Sequence, residues 1–133
     1  MSEYIWAYGS ALIAFVLLDA IWLGLVARRF YVSRIGHLMA DQPALATASA
    51  FYLIYLAGIV VFAVSPGLAA GSPLVAALYG AFFGFCAYAT YEVTNYVTLR
   101  DWPRDVVVVD ILWGVVLTGA TAWASALVAL AMV

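Results

Sequence analysis

Apolar residues run through this chain in four long blocks, roughly Tyr4 to Ala27, Ala44 to Val64, Leu74 to Leu99 and Val106 to Met132. Short stretches rich in Pro, Gly, Asp and Arg separate them. Each block has the ~20 residues that a helix needs to cross a bilayer. Backbone polar groups in lipid find no water and must pair within their own segment, so the blocks predict helices and not irregular chain. The expected fold is an all-α integral membrane protein, four transmembrane helices in an antiparallel bundle, forming one domain over residues 1–133.

The punctuation between the blocks adds connectivity. Ser65-Pro66-Gly67 is expected to end the second helix and Gly71-Ser72-Pro73 to open the third, which makes these helices neighbours across a tight turn. Between the third and fourth, Pro103 suits a first-turn position and Asp105 complements the positive end of the helix dipole. Trp102 reads there as an anchor in the headgroup layer. The longer stretch Arg28 to Pro43 has two readings, a basic topogenic loop or a short interfacial helix with Val32, Ile35, Leu38 and Met39 on one face and Arg34, His37 and Asp41 on the other.

Charge then orients the bundle. The chain holds 133 residues, 68% of them hydrophobic, and its five basic residues are all arginines. Arg28, Arg29 and Arg34 lie in one inter-helix stretch, Arg100 and Arg104 in another, and an even number of crossings separates the two. The positive-inside rule places both on the cytoplasmic face and both termini on the opposite side. The first block lacks a basic leader and is interrupted by Asp19, so it is expected to persist as a helix and not to be cleaved as a signal peptide. The lone Cys86 is expected to pack in the core.

Three carboxylic acids fall inside the blocks. Asp19 lies on helix one, Glu92 on helix three and Asp110 on helix four, at depths of about 12, 10 and 6 Å from the arginine-bearing ends at 1.5 Å per residue. No basic side chain lies within any block to pair with them. An intramembrane acid is costly, so each is expected to face the bundle interior and to be protonated, richly hydrogen-bonded or bound to a cation. Donors stand nearby at helical spacing: Trp22 after Asp19, Trp113 after Asp110, and Tyr88, Asn95 and Tyr96 around Glu92. Tyr52 and Tyr55 on helix two share the layer. The candidate ligand-binding set is therefore Asp19, Trp22, Tyr52, Tyr55, Tyr88, Glu92, Asn95, Asp110 and Trp113. The alternative is that the acids are neutral pins that set helix register.

The repeated D-x-x-W of helices one and four is too short to establish an internal repeat, but makes these helices expected neighbours. Gly80-Ala81-Phe82-Phe83-Gly84 and the pair Ala120, Ala124 predict close helix packing or a dimer face.

Five stretches, Leu18-Asp19-Ala20-Ile21-Trp22-Leu23-Gly24, Phe51-Tyr52-Leu53-Ile54-Tyr55, Tyr88-Ala89-Thr90-Tyr91-Glu92-Val93-Thr94-Asn95, Leu99-Arg100-Asp101-Trp102-Pro103 and Val109-Asp110-Ile111-Leu112-Trp113-Gly114, together resemble the bacterial family of predicted small membrane proteins called domain of unknown function two-one-seven-seven. The resemblance spans nearly the whole chain. It implies a four-helix protein, in keeping with a bacterial inner membrane, and brings no activity or catalytic residue with it.

Chemistry narrows the function. One histidine, His37 in a loop, does not supply a di-iron or haem site, and a retinal Schiff base needs a lysine that the chain lacks. No phosphate-binding loop or zinc spacing occurs, so neither a metal nor a cofactor is expected. A net charge of −2 gives no support to nucleic-acid binding. Three classes stay open: binding or modification of a lipid or amphipathic small molecule at the acids, proton- or cation-coupled transport by an oligomer, and an accessory role in a larger membrane complex. Membrane lipids are the expected partners, with a homodimer or larger complex open. The acidic layer lies on the arginine side, away from the midplane where transporter sites tend to lie, and this favours the first class.

Overall fold

The computed structural model describes residues 1–133 and is helical throughout, with no strand. Four helices are long and apolar enough to cross a membrane: a first span Ser2–Val26, a second Leu45–Ala69, a third Pro73–Thr98 and a fourth Arg104–Ala131. A short helix, Arg28–Ile35, with a following turn Gly36–Leu38, lies between the first two.

The second span runs further than its sequence punctuation predicts. It continues through Pro66 and Gly67 to Ala69 because its winding widens at Val60–Val64, where the Ser65 N–H reaches back to the Val60 carbonyl. A proline ring ordinarily collides with the carbonyl four residues earlier, and the wider turn moves that carbonyl aside. The helix stops instead at Gly71, whose φ of 61° is the left-handed conformation that ends helices. The Gly71 and Ser72 N–H groups return to the Leu68 and Gly67 carbonyls. Ser72 then caps the third span by accepting the Val75 N–H at 3.2 Å, with Pro73 in the first turn.

The third and fourth spans form the most extensive contact. Gly80 and Gly84 face the fourth span, and a Cβ on Gly80 would stand 2.7 Å from the Ala122 Cβ and 2.8 Å from the Thr118 carbonyl. A Cβ on Gly84 would strike the Gly114 carbonyl. The GxxxG sequence is thus used inside the chain, in the close helix packing that the sequence predicts. On the fourth span the fully buried small residues are Thr118, Thr121, Ala122, Ser125, Ala126 and Ala129, whereas Ala120 and Ala124 are only half-buried. The first span packs on this stripe through Ala7, Ala11 and Phe15, and Ser125 donates to the Ala7 carbonyl at 2.7 Å.

Two further expectations change. Cys86 is exposed on the outer face of the third span, not packed in the core. The inner face of the short helix is Ala27, Tyr31 and Ile35, which pack against Trp102 and Val106, while Val32, Leu38 and Met39 are exposed. The helix therefore presents a face one residue away from the stripe read along the sequence.

One region is loosely held. Every residue from Leu45 to Ile54 is exposed, and Tyr8 donates to the Leu53 carbonyl at 2.8 Å while Tyr52 packs on Phe15, so the arginine-side half of the second span keeps to the first span and leans away from the third and fourth. The gap it leaves is the feature on which the candidate site depends.

Replacing Gly84 by Ala is expected to lower stability by about 1–3 kcal/mol, because neither the Gly114 carbonyl nor Thr118 can retreat without shifting a helix. Phe82→Leu on the outward face should change it by less than about 0.5 kcal/mol. Unfolding in neutral detergent measures both, and equal stability of the two variants would refute the close-packing account.

Candidate functional site

A cavity of about 430 Å³ lies between the leaning half of the second span and the other three. Asp19, Asp110, Trp113, Tyr55 and Tyr88 line it together with Tyr52, and Leu23, Ala48, Phe51, Tyr91 and Ala87 complete the wall. Leu23, Phe51 and Tyr91 are exposed, so the rim is apolar and aromatic.

Each acid is held differently. Asp19 accepts the Trp113 indole N–H at 3.1 Å. Asp110 accepts the Tyr31 hydroxyl at 2.9 Å, and Tyr31 in turn accepts the Trp22 indole N–H at 3.2 Å. The Trp22 and Trp113 rings stack with centroids 4.5 Å apart and planes 9° from parallel. First and fourth spans are thereby joined at the D-x-x-W positions, each tryptophan engaging a hydrogen-bond chain that ends on an acid. The first span widens at Trp22–Val26, with the Ala27 N–H bonded to the Trp22 carbonyl at 2.8 Å, and this extra residue per turn sits beside Asp19.

Glu92 stands apart from the cavity lining. It is 1% exposed and accepts the Trp102 indole N–H at 2.8 Å, with Asp110 its acidic neighbour on the fourth span. Trp102, expected as an interfacial anchor, is 9% exposed and folded inward. The turn does this: Asp101 takes a left-handed φ of 61° and Pro103 precedes the fourth span, so the chain doubles back beneath Glu92.

The other predicted site residues divide. Tyr55 is buried, shares a 2.8 Å hydrogen bond with Thr118 and stacks on Phe83. Tyr88 lies flat against Gly114, where any Cβ would meet its ring. Tyr52 packs on Phe15 at 5.5 Å between centroids. Asn95 is half-buried and outside the cavity, and Tyr96 is exposed. Arg28, Arg29, Arg34, Arg100 and Arg104 are all exposed at the helix ends, and none reaches an intramembrane acid. Arg34 spans the surface to Asp105 in the chain's one ion pair and lies 4.0 Å over the Phe30 ring.

Tyr31 is the residue that sequence reasoning missed. Its hydroxyl joins Trp22 to Asp110, and burial, opposed by the Trp22 N–H, pushes its phenol above the usual tyrosine range, so it stays a neutral donor. The available signal was the i, i+4, i+8 spacing of Ala27, Tyr31 and Ile35, visible only if the short helix begins at Arg28.

The family model described as predicted membrane protein (DUF2177) matches residues 4–127. The chain belongs to this family. No curated protein and no solved structure matches it. The five stretches that carry the family resemblance supply Asp19, Trp22, Tyr52, Tyr55, Tyr88, Glu92, Trp102, Asp110, Trp113 and Gly114, whereas Tyr31, Ala48 and Ala87 lie outside them.

Tyr31→Phe should leave the Trp22 N–H without its acceptor and Asp110 short of a donor, a loss of about 1–2 kcal/mol. Amide exchange across Arg28–Ile35 is expected to accelerate. Asp105→Asn removes only an exposed, screened ion pair and should leave that exchange nearly unchanged. Faster exchange in Asp105→Asn with none in Tyr31→Phe would show that the surface pair, not the buried chain, holds the helix.

Proposed function

We propose that this protein binds an amphipathic small molecule or lipid, head group inward, in the cavity between its spans. The observation that carries the reading is a second space of about 340 Å³ which adjoins the first across shared wall residues. It is lined by Leu12, Phe15, Val16, Leu53 and Leu56 and runs between the first and second spans, sharing Asp19, Leu23 and Tyr52 with the acidic cavity. One end of the combined space is aliphatic and the other holds two carboxyl groups. That is the polarity of an amphiphile, with the tail along the groove toward the midplane and the head at Asp19 and Asp110.

The leaning half of the second span supports lateral entry from the arginine-side leaflet. Its exposed residues make few contacts that would have to break, and the widened turn at Val60–Val64 offers a place to flex. With the arginine loops cytoplasmic under the positive-inside rule, that leaflet is the inner one and both termini face away from the cytoplasm. A cytoplasm-only reporter is then expected to be active after Arg34 and silent at Val133. The reverse pattern would overturn the orientation.

Ala87 borders the cavity, so Ala87→Phe should fill it. Native mass spectrometry of the protein in neutral detergent is expected to show a retained amphiphile in the parent and at least ~10-fold less in this variant, a change of about 1.4 kcal/mol. Equal retention would place the bound molecule elsewhere.

A further inference from the structure

We infer that the head group taken at Asp19 and Asp110 is an organic ammonium, a protonated amine or quaternary nitrogen. The inference rests on the amphiphile reading above and concerns what the acidic end selects. Asp19 and Asp110 each receive one hydrogen bond from the protein, from Trp113 and Tyr31, although an ionised carboxylate can accept about four. The chain's one ion pair is spent on the surface between Arg34 and Asp105, so no guanidinium answers either acid. An anionic head group would enter against two carboxyl groups with no cation beside them. A metal ion is poorly served, because no group of three metal-ligating side chains forms and Glu92, the next acid, lies outside the cavity lining and is engaged by Trp102.

The wall decides between an ammonium and a neutral hydroxyl head. The cavity that holds both acids is walled by the aromatic rings of Trp113, Tyr52 and Tyr88, and aromatic faces attract cations strongly where water is scarce. Trp22 covers one side of the Trp113 indole, and Trp113 is the member of that stacked pair that borders the cavity. Its donated N–H fixes the ring on Asp19, which holds π face and carboxyl group in one arrangement. A neutral alcohol gains little from the aromatic wall and leaves the acids without a counter-charge.

The probes are four small molecules added below their micellar concentrations to the full chain in neutral maltoside detergent: dodecyltrimethylammonium, dodecanol, dodecanoate and tetramethylammonium. Binding is read by tryptophan fluorescence and by native mass spectrometry. Dodecyltrimethylammonium is expected to bind at least ~10-fold more tightly than dodecanol and dodecanoate. Asp19→Asn and Asp110→Asn should each remove that preference, and thermal unfolding in the same detergent checks that the variants are folded. Trp113→Leu should also reduce the preference, because it deletes a π face.

Cation and alcohol bound alike would overturn the ammonium assignment and leave the amphiphile cavity standing. Failure of all three dodecyl compounds to bind would instead overturn the cavity reading itself. Tetramethylammonium bound as tightly as its dodecyl relative would keep the ammonium recognition and overturn the lipid-like ligand. A preference that survives in both amide variants would move the cation to another part of the molecule.

Discussion

The close approach of the third and fourth spans determines most of what lies around it. At Gly80 and Gly84 the third span has no side chain to hold its backbone away from the fourth, and the Tyr88 ring lies against the bare surface of Gly114. This contact sets the rotation of both helices. Glu92, two turns beyond Gly84, is buried on the side of Asp110, and Trp113 is directed across to the first span. Without a hydrophobic force between helices in lipid, such contact between small residues is a main source of helix association, so the tightest pair also fixes the site's floor.

The intramembrane acids are accommodated without any base. Indole N–H groups and a phenol do the work: Trp113 for Asp19, Tyr31 for Asp110 and Trp102 for Glu92. Aromatic donors suit this setting, since they bring one polar atom on a large apolar body and leave no second charge to desolvate. Two of the three donors, Tyr31 and Trp102, come from inter-span segments that fold back onto the bundle. The connections on the arginine side are therefore part of the buried network and not only surface loops. On the other side, the connection is a short reversal, Ala70 to Ser72, built on Gly71 and Ser72.

The two ends of the bundle differ in tightness. Toward the termini side, the first span is closed against the fourth by Ala7, Ala11 and Ser125, and Tyr4 meets Ser65 at 2.9 Å. Toward the arginine side, the second span leaves this packing at about Tyr55, beyond which its residues are exposed. An amphiphile site needs such a lateral opening, because its ligand arrives through lipid and not through water.

Much of this was legible along the chain. Four apolar blocks dictated four helices because hydrocarbon tolerates no unpaired backbone, and matched depths placed Asp19, Glu92 and Asp110 in one layer because helical rise is uniform. The tryptophans one turn from Asp19 and Asp110 were visible, yet their partners were not: Trp22 serves the acid of another helix through Tyr31, and Trp113 bonds Asp19 instead of Asp110. Which donor meets which acid depends on helix rotation and on how loops refold, and neither leaves a period in the sequence. The inward turn of Trp102 rests on one left-handed residue, Asp101, and the passage of the second span through Pro66 rests on one widened turn. Local pattern thus determined the elements, the layer and the chemistry available in it. Only the tertiary structure decided the pairings and opened the cavity, because both arise from contacts between segments far apart in the chain.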